Sequence, residues 1–158
     1  MPTHSETRRL PYSADQMYAL VADVAQYPQF IPWISASRVR SVTPEDDHEV
    51  MLADLVVGFK MFRERFLSRV TLWPEARRID TEYVDGPFKH MISKWEFADP
   101  PEGESGCQIH FAVDFEFKNR ILQGAAGLFF HDAMQRIVRA FETRAAALHG
   151  QGGKPATA

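Results

Sequence analysis

Between Ala36 and Phe117 the chain passes through six segments of strand-like character separated only by turn signals. The segments are 36–43, 48–58, 62–72, 77–84, 90–98 and 107–117. TPEDDH, GFKM, WPEAR, VDGPFK and DPPEGESG punctuate them, each rich in the Pro, Gly, Asp or Glu that closes a turn. Parallel neighbours need a crossover of a dozen or more residues, and none of these connections is long enough to hold one. The run therefore predicts an antiparallel meander. Its last segment is the clearest: Ile109, Phe111, Val113, Phe115 and Phe117 alternate with Gln108, His110, Asp114 and Glu116. In 62–72, Phe62, Glu64, Phe66 and Val70 share one face and Arg63, Arg65 and Arg69 the other. Segment 48–58 is apolar on both faces, so its register stays open.

Helical signals flank the meander. Residues 4–10 (HSETRRL) read as a short first strand. Ser13 then stands as an N-cap with Gln16 three residues on, and Tyr12 is placed to staple onto Met17. Met17, Leu20, Val21 and Val24 form an apolar stripe, which predicts a helix from Ala14 to Val24. YPQFIPW (27–33) allows at most one further turn, because Pro28 and Pro32 each lack an N–H and constrain the residue before them. After the meander, Asn119 is a plausible N-cap for a long helix over Arg120–His149, with Gly150 as its stop. Its stripe is Leu122, Ala126, Phe129, Phe130, Ala133, Ile137, Phe141, Ala145 and Leu148. Residues 1–150 read as one domain and 151–158 as a disordered tail.

Geometry then predicts a cavity. About seven twisted strands at ~4.8 Å each span ~30 Å, and one helix is only ~10 Å thick. A single helix leaves part of the concave face uncovered. Side chains plug the remainder or a cavity remains, and the inner faces are rich in Phe, Val, Met and Trp, as an apolar ligand needs. YPQFIPW crosses the end of this grip. Its aromatics serve either as a lid or membrane-contacting rim, or as a cap on the open end of the core.

Other chemistries find little support. The six histidines are scattered, and no metal, phosphate-loop, dinucleotide or nucleophile-elbow motif is present. Cys107 begins a strand and reads as a packing residue. Being the single cysteine, it excludes an intrachain disulfide and fits a reducing compartment. A net charge of −3 argues against general nucleic-acid binding, DNA included. Arg38, Arg40, Arg63, Arg65 and Arg69 form either a basic outer patch for anionic lipid or RNA, or an ordinary solvated face balanced by Asp80 and Glu82. No signal or transit segment is evident, which suggests a cytoplasmic location. Glu64 has the parity of the cavity side, where it either orients a polar head group or pairs with an arginine at the sheet's end.

Five stretches carry a family resemblance: LPYSADQMYALVADVAQYPQFIPW (10–33), FRERFLSRVTLWP (62–74), GPFKHMISKWEF (86–97), VDFEFKN (113–119) and AFETRAAALHG (140–150). In these the sequence resembles the coenzyme Q-binding, START-like proteins of the helix-grip, polyketide cyclase-like superfamily. The resemblance implies an α+β helix-grip fold. A curved antiparallel sheet of about seven strands wraps a long C-terminal helix, with two short helices after the first strand. It implies a tunnel between sheet and helix that takes ubiquinone or a similar hydrophobic lipid, with no cofactor beyond that ligand. One branch supports respiratory electron transport, with transient contact at the inner face of the cytoplasmic membrane. The other binds the large ribosomal subunit as a toxin, and cyclase-like enzymes form a third class. The tunnel residues expected here are Phe30, Pro32, Trp33, Phe59, Glu64, Phe66, Val70, Trp95, Phe97, Phe111, Val113, Phe115, Phe129, Ala133 and Ile137.

Overall fold

Ser13 starts the first helix by a reciprocal capping box. Its Oγ accepts from the Gln16 N–H at 3.1 Å, and Gln16 Oε1 accepts from the Ser13 N–H at 2.9 Å. Tyr12 and Met17, the expected staple pair, are both buried. The computed structural model describes residues 3–31, 33–59, 62–100 and 105–149; the side chains of Phe59, Phe62, Leu122 and 125–131 lie outside that description. The elements are β1 (Thr3–Leu10), α1 (Ala14–Ala22), a 3-10 helix (Val24–Gln29), β2 (Ile34–Pro44), β3 (Glu49–Phe59), β4 (Phe62–Trp73), β5 (Arg78–Asp85), β6 (Phe88–Ala98), β7 (Cys107–Phe117) and α2 (Arg120–His149).

The seven strands form one antiparallel sheet in the order β1-β7-β6-β5-β4-β3-β2. Six consecutive strands make the meander, and β1 adds to its far edge against β7. With α2 across the concave face, this is the expected helix-grip architecture. The open register of β3 resolves with Met51, Ala53, Leu55 and Val57 facing inward, opposite Val70, Ser68, Phe66 and Glu64 of β4. Asp54 takes the outer face. It is 7 % exposed, accepts from Arg40 Nε at 2.5 Å and has Arg65 at 3.7 Å.

Two helical expectations need correction. The first helix stops at Ala22, two residues early, because Asp23 leaves helical geometry at φ −86°, ψ 68°. Val24 instead opens the 3-10 helix, whose last turn carries Pro28. In α2, Leu148 is 49 % exposed and Val138 is buried, so the buried face turns away from the expected stripe near its end. Asn119 does cap α2, its Oδ1 accepting from the Ile121 N–H at 2.8 Å. Leu122, Ala126, Phe129 and Phe130 were expected in the same stripe, but their side chains are outside the described parts, as are Gly150 and residues 151–158.

The C-terminal half of α2 is fastened to the sheet edge. Glu142 receives a hydrogen bond from Arg8, whose Nε also donates to Glu6 at 2.6 Å. Glu6 is bonded in turn to the buried His4 at 2.7 Å. Burial alone would raise the pKa of Glu6, but the hydrogen bonds with His4 and Arg8 outweigh it and hold the carboxyl below its usual value. Val138, Phe141 and Ala145 are each no more than 2 % exposed beneath this clasp.

Two tight positions yield predictions. Gly86 has φ +144°, and a Cβ there would lie 2.7 Å from Phe66 Cβ and 3.0 Å from the Arg65 carbonyl oxygen. Gly86→Ala is expected to cost about 1–3 kcal/mol in denaturant unfolding; an unchanged midpoint would contradict the strain. Cys107 is 1 % exposed, and burial, reinforced by the charge of Asp99, pushes its thiol up to about 11. A maleimide should therefore leave the native protein unlabelled at neutral pH and modify it fully once unfolded.

Candidate functional site

Between α2 and the concave face lies a cavity of about 340 Å3. Two groups of aromatic rings wall it. The first centres on Phe141 of α2, which meets Trp95 edge-on at 5.2 Å, Tyr27 at 5.5 Å and Phe30 at 5.3 Å. Trp95 also lies 4.3 Å from Phe111. The second centres on Phe88, which stacks on Phe117 at 4.8 Å and meets Phe66 at 5.4 Å and Phe115 at 5.8 Å. Edge-on and offset ring pairs are favoured geometries, so each ring is held by its neighbours rather than by lumen contents.

Strand direction gathers the half-exposed lining residues at one end, which we call the mouth. Val57 stands near the end of β3, Glu64 near the start of β4, Pro87 in the β5–β6 turn, Phe88 at the start of β6 and Phe117 at the end of β7. In an antiparallel sheet these positions share one end, the end where α2 begins. All five line the cavity and all are half-exposed. Trp33 lines this rim too, and its carbonyl accepts from the Gly58 N–H at 2.7 Å, tying the segment before β2 to β3. Trp95, Phe111 and Phe141, all buried, form the deeper wall.

The proline-flanked segment both packs on the core and borders the cavity. Tyr27 and Phe30 pack on Phe141 and close the core there. The Tyr27 hydroxyl donates to the Val21 carbonyl, and burial raises its pKa, which keeps it a donor. Phe30 also lies under the Arg144 guanidinium at 5.4 Å. Ile31 and Trp33 face the lumen. Tyr27 lines the cavity as well, so the segment packs on the core through Tyr27 and Phe30 and borders the lumen through Tyr27, Ile31 and Trp33.

Of the expected tunnel residues, Trp33, Glu64, Phe66, Trp95, Phe111, Val113, Phe115, Ala133 and Ile137 line the cavity. Phe30, Val70 and Phe97 do not. Phe30 packs behind Phe141 as just described. Val70 is 4 % exposed within the core, and Phe97 meets Tyr18 of α1 edge-on at 5.9 Å. Both have the inward parity but lie beyond the lumen. Pro32 and the side chains of Phe59 and Phe129 lie outside the described parts. Sequence reasoning passed over Leu55, Phe88, Met91, Met134 and Phe141 as lining residues. Parity on β3 and β6 held the signal for Leu55 and Met91, and the α2 stripe held it for Phe141. Met134 stands beside Ala133 of that stripe, and Phe88 lies before the register shift between Phe88 and His90, where parity along β6 breaks.

Polar groups are sparse. Glu64 is the one carboxylate among the described lining residues, and Thr81 and Ser93, paired across β5 and β6, contribute hydroxyls. Among the described residues no three His, Cys, Asp or Glu side chains cluster as a metal site, and no described helix is long and apolar enough to cross a membrane. Such a lumen offers apolar contact with one acceptor at its rim.

Comparison with known proteins agrees with this architecture. A family model described as polyketide cyclase / dehydrase and lipid transport matches residues 10–142. The chain is 39% identical over 145 residues to an Escherichia coli K12 protein named Ribosome association toxin RatA, covering 92% of this chain and 87% of that one. It is 34% identical over 157 residues to the Xenopus laevis protein named Coenzyme Q-binding protein COQ10 homolog B, mitochondrial, covering 98% of this chain and 62% of that one. The solution structure of an 18 kDa protein from Caulobacter crescentus superimposes with a TM-score of 0.78 at 36% identity, covering 95% of this chain and 99% of that one. The chain belongs to the polyketide cyclase / dehydrase and lipid transport family and has its START-like helix-grip fold.

Proposed function

We propose that this protein binds ubiquinone or a similar polyprenyl lipid in the cavity between sheet and α2 and carries it to or from a membrane surface without chemical turnover. The observation that carries this reading is the lumen itself: about 340 Å3 walled by aromatic and aliphatic side chains, with one described carboxylate at its mouth. That volume is at the low end of the ~300–1,000 Å3 usual for small-molecule sites. It receives part of a long isoprenoid tail, and the rest extends past the mouth. Trp33 at the rim suits contact with lipid head groups during transfer, since indole rings favour that depth. The setting that fits is respiratory electron transport at the inner face of the cytoplasmic membrane. The name of the Xenopus relative supports the ligand class.

A second reading, binding to the large ribosomal subunit, is favoured by the 39% identity to a protein named as a ribosome association toxin. It draws on the outer arginines. Several of these are already compensated: Arg69 bonds Glu82 at 2.6 Å, and Arg40 and Arg65 share Asp54. We rank it second for that reason.

The ligand reading predicts that organic extracts of protein from a quinone-making host contain ubiquinone or another polyprenyl lipid above a control protein. Absence from extracts together with no thermal shift on adding quinone would remove the reading. Ala133→Trp should fill the lumen: delipidated variant unfolds within a few degrees of wild type yet binds quinone at least ~10-fold more weakly. A filled core at Ala133 would instead cost ~1–3 kcal/mol. The ribosomal reading predicts cosedimentation with large subunits that falls steeply with salt and is lost in the combined Arg63→Glu, Arg65→Glu, Arg69→Glu variant. Wild-type protein that stays in the supernatant at low salt would end it.

A further inference from the structure

Glu64 is an unusual side chain for this lumen. Its register partner Val57 and its same-face neighbour Phe66 both line the cavity, so its carboxylate faces inward. Arg63 and Arg65, its chain neighbours, have the opposite parity, and Arg65 reaches Asp54 on the outer face. No described side chain forms an ion pair or hydrogen bond with Glu64. The hydroxyls of Thr81 and Ser93 are far from it: Thr81 stands opposite Val70, six positions along β4, a separation of about 20 Å at ~3.3 Å per residue. Glu64 is half-buried at the mouth, the place that the ligand reading above gives to the polar head of a lipid entering tail first.

We propose that Glu64 is a specificity-determining residue that selects a head group bearing a hydroxyl donor, and so binds a quinol in preference to its quinone. This rests on the ligand reading above. An ionised carboxylate accepts hydrogen bonds and donates none. A quinone head offers carbonyl and ether oxygens, which also only accept. Seating it against Glu64 strips water from the carboxylate and returns no bond. The two-electron-reduced quinol carries two phenolic O–H groups, and one of them makes a charge-assisted bond to the carboxylate, about twice as strong as a neutral one. Methoxy and methyl substituents and the tail are common to both forms, so the discrimination falls on this contact. Partial exposure of Glu64 to water limits the preference to roughly tenfold, or about 1.4 kcal/mol.

Binding of a short-tailed ubiquinone and of its quinol, measured anaerobically through the fluorescence of the lumen tryptophans Trp33 and Trp95, tests this directly. Wild type is expected to hold the quinol about tenfold more tightly. By linkage, the bound couple's midpoint potential then rises by about 30 mV. Glu64→Gln keeps the size but both donates and accepts, and should narrow the preference to about twofold or less. Glu64→Leu should abolish it while still binding both forms. Equal affinities in wild type, or a preference that survives in both variants, would overturn the proposal and leave the quinone reading standing. Folded wild type that binds neither form would overturn the ligand reading, and this inference with it.

Discussion

Everything in this molecule follows from a mismatch of widths. Seven hydrogen-bonded strands make a surface about 30 Å wide, and the single long helix laid across it covers about 10 Å. The remaining pieces each deal with part of the uncovered face. Helix α1 packs over the end of the sheet where Phe97 meets Tyr18. The 3-10 helix brings Tyr27, and Phe30 just after it, against Phe141. The clasp of Arg8 with Glu142 fixes the C-terminal half of α2 to β1. What the described side chains leave between helix and sheet is the cavity, which reaches toward the end where α2 begins.

Much of the architecture was legible because the signals for it are local. Alternation along β7, the Ser13 capping box and the limit to one short turn of helix around Pro28 each act within a few residues, and the structure realises each of them. Parity also placed Glu64, Phe66, Phe111, Val113 and Phe115 on the lumen side. Depth was less legible. Val70 and Phe97 have the same parity as lining residues, yet other elements bury them. Which inward residues meet the lumen depends on where α1 and α2 come to rest, a long-range outcome that no period along a strand encodes. Phe88 was missed for a related reason. It follows Gly86 and Pro87 and reads as turn, but its ring is the hub of the mouth cluster.

The outer face obeys a different rule. Asp54 occupies the middle of the most apolar strand, and that strand's ambiguity came from its Leu and Val residues on both sides. Buried, it is compensated by Arg40 and Arg65, so two of the five arginines that suggested a basic patch are committed to neutralising it. The exposed Arg69–Glu82 pair contributes at most about 1 kcal/mol. Three of the five outer arginines thus have carboxylate partners, whereas the lumen's lone described carboxylate, Glu64, has none among the described side chains.

An unfilled apolar space is normally a liability, because its lining loses dispersion contacts and the walls tend to relax inward. A sheet resists that relaxation better than packed helices do. Its strands are held apart and together by backbone ladders perpendicular to the inner side chains, so the wall keeps its shape without lumen contacts. The aromatic clusters add a second restraint, since Phe141 and Phe88 are each braced by rings on several elements. A ligand that fills the lumen restores the missing contacts and stabilises the fold by mass action, ~2.7 kcal/mol at a hundredfold excess over its dissociation constant. The same ladders and ring clusters that hold the walls apart would let a bound ligand add contacts without first rearranging them.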